Sequence, residues 1–175
     1  MLSKPRWAAL LPLVAALAIG LGCPGCVTKP VVTVHHAELR GISTYGLNVA
    51  IFLQIRNDNA YDVQIRNVHC NVTFGRGYVL GPIDFAPNQW LPSNQTTLVP
   101  VPVSVPFQLV PGLISETAGS YAIPYYVKGT ADVTATRALG IERNDYPIDE
   151  GGAMPRQMVV DAARSAIPIP IPFGF

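Results

Sequence analysis

Leu47-Asn48-Val49-Ala50-Ile51-Phe52-Leu53-Gln54-Ile55-Arg56-Asn57-Asp58-Asn59 decides the fold class. Leu47, Val49, Ile51, Leu53 and Ile55 recur every second residue, while Asn48, Gln54 and Arg56 occupy the alternate positions. Successive side chains of a strand point to opposite faces, so this is a strand with one buried and one wet face, ending in an Asn/Asp turn. The following segment puts Val63 and Ile65 inward and then Val68, Cys70, Val72 and Phe74, which have the opposite parity. A one-residue shift of that kind predicts a β-bulge near Arg66 and Asn67. A third inward row comprises Tyr121, Ile123, Tyr125, Val127, Ala131, Val133 and Ala135, with Gly129 read as a bend and Tyr126 turned outward.

Between Gln95 and Phe107 the odd positions Val99, Val101, Val103 and Val105 form one face, and Pro100, Pro102 and Pro106 share the other parity. Residues of one parity aim their N–H groups at the same neighbour, so these prolines remove donors on one side only. The segment is therefore expected to be an edge strand, paired on its odd-numbered side and protected against strand addition on the other. Pro111 to Gly119 fits one short helix. Turn signals at Asn57-Asp58-Asn59, Gly75-Arg76-Gly77, Pro87-Asn88 and Pro92-Ser93-Asn94 space the strands as in a sandwich. The expectation is an all-β chain: an antiparallel, immunoglobulin- or fibronectin III-like β-sandwich of about seven strands with one short helix, spanning residues 31–148.

Composition agrees with a single folded domain. The chain has 175 residues, 49% hydrophobic and 13% charged, with a formal net charge of +1. This excludes a disordered chain, which needs low hydrophobicity and high net charge, and the absence of a basic run argues against nucleic acid as a partner.

The flanks read differently. Lys4 and Arg6 precede an apolar run from Trp7 to Gly22 that contains Pro12 and ends in small residues before Cys23. It is short of the about 20 apolar residues of a spanning helix, so residues 1–22 read as a signal peptide. Ile19-Gly20-Leu21-Gly22-Cys23 resembles a bacterial lipobox, which makes Cys23 the lipidated residue, residues 23–30 a tether, and palmitate-type acyl chains the membrane anchor. Pro24, where Asp would retain a lipoprotein at the inner membrane, favours the outer membrane. Loss of Lys4 and Arg6 takes the net charge from +1 to −1, so membrane affinity falls to the acyl chains, at roughly 0.8 kcal/mol per buried CH₂. Ordinary secretion and an uncleaved anchor are the rival readings. Cys23-Pro24-Gly25-Cys26 has redox-pair spacing but leads into Pro30 instead of a helix; a Cys26–Cys70 disulfide stays open. Residues 149–175 read as a Pro-rich apolar tail, with a brief helix around Met158 to Arg164. Alternating proline leaves Ile167, Ile169, Ile171, Phe173 and Phe175 as an apolar row that packs on its own domain or docks on a partner.

The stretch from Val31 to about Ile148 resembles the type 2 late embryogenesis abundant (LEA type 2) family, also called the water stress and hypersensitive response (WHy) domain. The resemblance is carried by an ordered series of motifs. Val32-Thr33-Val34-His35-His36-Ala37-Glu38-Leu39 matches a V-x-V-x-x-A-E-L strand. The amphipathic strand then ends at Asn57-Asp58-Asn59, where the family has an N-P-N corner, and Tyr61 to Gly81 matches its returning hairpin. Gln95 to Gly119 matches a proline-broken strand plus helix, and Tyr125-Tyr126-Val127-Lys128-Gly129 a Y-x-V-x-G strand. Asp58 departs from the usual proline, although Asn and Asp side chains close such turns on their own backbone. The resemblance implies a sandwich fold and a stress or desiccation role without catalysis. Some members of the wider family are thought to bind lipid in the groove of the sandwich.

Chemistry-bearing patterns are sparse. His35 and His36 are neighbours on a strand and are expected to point to opposite faces, and His69 beside Cys70 likewise, so no metal site is expected. There is no G-x-S-x-G elbow, P-loop or dinucleotide fingerprint, and Asp145, Asp149 and Glu150 read as a solvated turn. Trp90 reads as a core plug at a loop. The favoured function is thus a non-catalytic, cofactor-free, monomeric module tethered to the bacterial outer membrane, acting on envelope proteins or lipids through its surface. The alternative is a carrier of lipid or another apolar ligand between the sheets, lined by Val49, Ile51, Val101 and Val127; an unrecognised enzyme is the remaining class.

Overall fold

The computed structural model describes residues 28–138 and 140–166. The leader, Cys23, Cys26 and the apolar row from Ile167 to Phe175 lie outside the described residues. Among the described residues, eight strands and two helices follow in the order β1 (Val31–Ile42), β2 (Gly46–Asn57), β3 (Val63–Phe74), β4 (Tyr78–Phe85), β5 (Gln89–Leu91), β6 (Gln95–Pro106), α1 (Val110–Glu116), β7 (Ala122–Ala135), β8 (Ile141–Pro155) and α2 (Arg156–Ala166). One antiparallel sheet has the order β1-β2-β6; the other runs β4-β3-β7-β8, with β5 paired to β3 beside β4. The fold is the all-β sandwich that the alternation predicts.

The core is the sum of the inward rows. Leu47, Ile51 and Leu53 of β2 lie opposite Val105, Val101 and Val99 of β6 within one sheet, and Val72, Phe74, Ile123, Tyr125 and Val127 of the other sheet join the same core. Burial of each such side chain stabilises the fold by about 1.5–3 kcal/mol relative to leaving it in water. Among the described residues β6 stands at the edge of its sheet, bonded to β2 alone, with Pro100, Pro102 and Pro106 opposite Phe52, Ala50 and Gly46. The predicted bulge lies in the β3–β7 ladder, where the register slips between Ile65 and Asn67. α1 begins with Pro in its first turn, buries Val110 and Leu113, and is closed by Thr117, whose hydroxyl donates to the Leu113 carbonyl at 2.7 Å.

Three expectations need correction. Tyr121 is not inward: it is 98% exposed, because β7 starts at Ala122. Trp90 is half-buried on β5 with the Arg137 guanidinium 4.5 Å over its ring, and its neighbour Leu91 is the fully buried plug. The sandwich does not end at Ile148. β8 runs on to Pro155 and leads into α2, and Met154, Val159 and Ala162 enter the core. Gly151 and Gly152, read in sequence as a terminator, are strand residues opposite Tyr126 and Tyr125. A side chain at Gly152 would lie 2.7 Å from the Tyr125 ring, and one at Gly151 2.9 Å from that of Tyr126, so the glycines make room for their cross-strand tyrosines.

Candidate functional site

Asn57-Asp58-Asn59 builds the most connected polar structure of the domain. Asn57 ends β2 with its side chain buried, and its amide nitrogen faces the carbonyls of Tyr61 (2.9 Å), Leu91 (3.1 Å) and Pro92 (3.1 Å). Its amide oxygen accepts from the backbone N–H of Asn59 at 3.1 Å and from the Asn59 side chain at 2.9 Å. Asn59 then pairs with the segment that precedes β1: Thr28 N–H donates to Oδ1 and Nδ2 donates to the Thr28 carbonyl, both at 2.8 Å. Asp58 points outward and pairs with Arg56 at 2.9 Å. The corner thus joins three chain segments: the exit toward the N-terminus, the end of β2 and the β5–β6 loop.

The four residues expected to line a ligand groove lie in the core of the sandwich. Val49, Ile51, Val101 and Val127 are 2%, 0%, 0% and 0% exposed and belong to the packed core. The apolar cavity between the sheets lies toward the corner instead, against Leu53, Ile55, Ile65, Val68, Tyr146 and Ile148, with a volume of about 30 Å³. That volume suits a water-sized guest, whereas sites for small organic ligands occupy about 300–1,000 Å³.

Cys70 faces inward on β3, as its parity predicts, with a free thiol. Burial pushes that thiol up to about 11, with the Asp84 carboxylate adding to the effect, so it stays protonated and unreactive at neutral pH.

On the outer face of the larger sheet, His69 Nδ1 lies 2.7 Å from Asp84 on β4, and its Nε2 lies 3.9 Å from Asp132 on β7. The hydrogen bond that His69 donates to Asp84 raises the His69 pKa above its ordinary 6.5; partial desolvation opposes this, and the charges of Asp84, Asp132 and Asp145 reinforce it. The sign follows directly. A raised folded-state pKa adds stability that is complete below the unfolded-state value of about 6.5 and is lost as pH rises through the folded value. Proton NMR titration should put the His69 midpoint above 6.5, and Asp84→Asn should bring it down.

On the smaller sheet the structure corrects the reading of His35 and His36. The β1–β2 register slips between Val34 and His36, which makes His35 a bulge residue. The two imidazoles therefore meet instead of pointing apart, with their Nδ1 atoms 2.5 Å apart. His36 stacks on Phe52 at 4.6 Å between centroids with the rings 2° from parallel, and its Nε2 lies 2.9 Å from Glu38. Arg40 holds the other oxygen of Glu38 at 3.0 Å. The Glu38 carboxyl is held below the usual carboxylate range, first by its hydrogen bond from His36; desolvation opposes this, and the charges of Arg40 and His36 assist it. The sequence carried the signal: Val32 and Val34 are inward at even positions, Ala37 and Leu39 at odd ones.

No protein-family model matches the chain, and no curated protein matches it. Similarity is found among solved structures. The solution structure of an Arabidopsis thaliana protein superposes with a TM-score of 0.54 at 18% identity, covering 74% of this chain and 83% of that one. That of a candidate late embryogenesis abundant (LEA) protein gives 0.50 at 15% identity, covering 74% and 72%. At these identities the likeness is one of fold: the chain shares the sandwich architecture of these two proteins.

Proposed function

We propose that this protein is a non-catalytic LEA type 2 (WHy) domain lipoprotein, held at the outer membrane by lipid on Cys23, which protects envelope components during desiccation or related stress through its outer surface. The filled interior carries the surface reading. Tightly packed inner faces leave the outer faces, the corner and the tether as the parts available to a partner. The lipobox-like junction supports tethering, and the LEA-like fold supports the stress role. A domain held by acyl chains meets its partners at a raised effective concentration, so weak surface contacts suffice.

Two measurements test this reading. Labelled palmitate should enter the wild-type chain and be absent from Cys23→Ala; label that survives the substitution sinks the tether. Native mass spectrometry of the soluble domain, begun ahead of Thr28 to keep its pairing with Asn59, should give a clean apo mass. A reproducible adduct of lipid mass would put the carrier reading first.

A further inference from the structure

We propose that His35 and His36 form a two-imidazole site for a divalent copper ion on the outer face of the smaller sheet. The observation behind it is the meeting of two ring nitrogens that regular strand geometry would hold apart. The bulge at His35 turns both side chains to one side and sets Nδ1 against Nδ1 at 2.5 Å. Two nitrogens each about 2.0 Å from one ion stand about 2.8 Å apart in neighbouring positions of a square arrangement, close to the spacing here, and a turn of the exposed His35 ring aims both lone pairs at the ion.

The surroundings prepare the pair for this. His36 Nε2 lies 2.9 Å from the Glu38 carboxyl oxygen, and this contact assigns the ring proton to Nε2 and leaves the lone pair on Nδ1. A carboxylate on the far nitrogen is the arrangement that fixes the tautomer and raises the basicity of a metal-binding imidazole. Arg40 fixes Glu38 from the other side, and Phe52 fixes the ring plane by stacking. In the metal-free pair the proton between the rings belongs to His35 Nδ1. On binding, that proton moves to His35 Nε2, both rings stay neutral, and both Nδ1 lone pairs go to the ion.

The choice of metal follows from the donor count. Among the described residues no three histidine, cysteine or carboxylate side chains converge to hold an ion. A structural zinc site needs four protein ligands, which this pair does not supply. Divalent copper stands at the top of the affinity order for nitrogen donors and favours a tetragonal set of nitrogen and oxygen ligands, so water completes the shell.

The test is titration of copper(II) chloride into the full chain carrying Cys23→Ser and Cys26→Ser, which removes competing thiols. Binding is followed by calorimetry and by paramagnetic broadening of amide signals. One ion should bind saturably, with broadening centred on residues 35 to 38 and Phe52. His35→Ala or His36→Ala should each weaken binding at least tenfold, Glu38→Gln about 10- to 100-fold, and His69→Ala not at all. All four sites are on the sheet surface, and unchanged circular dichroism confirms that each variant folds. Absence of saturable binding, wild-type affinity in either the His35 or the His36 variant, or broadening centred on His69 and Asp84 would overturn the assignment.

Discussion

Asn57→Ala should cost about 3 kcal/mol of unfolding free energy, because the truncation removes a donor from buried carbonyls and an acceptor from the Asn59 amides at once. Each buried polar group left without a partner costs about 1–3 kcal/mol, and Asn57 serves Tyr61, Leu91 and Pro92 on one side and Asn59 on the other. No water reaches the side chain, which is 0% exposed, to replace them. A loss of that size lowers Tm by about 10 °C in a domain of this length. Asp58→Ala is the internal control: it removes a surface pair with Arg56 and should change stability by less than about 0.5 kcal/mol. Thermal melts of the two variants decide the matter, and equal midpoints would show that the corner is held by its backbone alone.

Gly129→Val should be more damaging still. Gly129 lies at the centre of β7, opposite Cys70 on β3 and Ile148 on β8. A Cβ there would stand 2.0 Å from the His69 carbonyl oxygen and 2.5 Å from the Cys70 Cα, both backbone atoms with no rotamer to yield. The two central strands of the larger sheet would have to separate. Overpacking of a well-filled site costs about 1–3 kcal/mol when side chains absorb it, and more when backbone must move. We expect a loss of about 3 kcal/mol or more, read as a fall in the urea midpoint or as failure to accumulate soluble protein. Gly41→Ala, whose new methyl meets nothing within 4 Å, should behave as wild type.

Much of this architecture is legible in the chain because the period of a strand is two, and any departure from it leaves a mark. The parity change after Ile65 predicts the bulge in β3, and three prolines of one parity predict the edge position of β6. The same parity change occurs between Val34 and Ala37, and it gives the meeting of His35 and His36; two adjacent histidines are misread when their strand is taken as regular. Other features are not written locally. Gly151-Gly152 has the composition of a chain terminator, and only the tyrosines on the neighbouring strand make it part of a sheet. Tyr121 continues an inward row by parity, but the strand begins one residue later. The corner is readable as a turn, whereas its partners at Thr28 and Leu91 are more than thirty positions away in sequence. An apolar cavity sits near the corner, a place that periodicity does not report because side-chain volumes decide where the sheets close.

The pairing of Asn59 with Thr28 also sets how the domain answers mechanical load. A pull on the chain ahead of Thr28 does not peel β1 from β2 one hydrogen bond at a time. It first meets two bonds of 2.8 Å made by a single side chain, which share the force and break together or not at all. From Asn59 the force passes to Asn57 and on to the backbone at Leu91 and Pro92, so it is spread across both sheets. A load applied at the N-terminal end is thus carried by both sheets from its first contact.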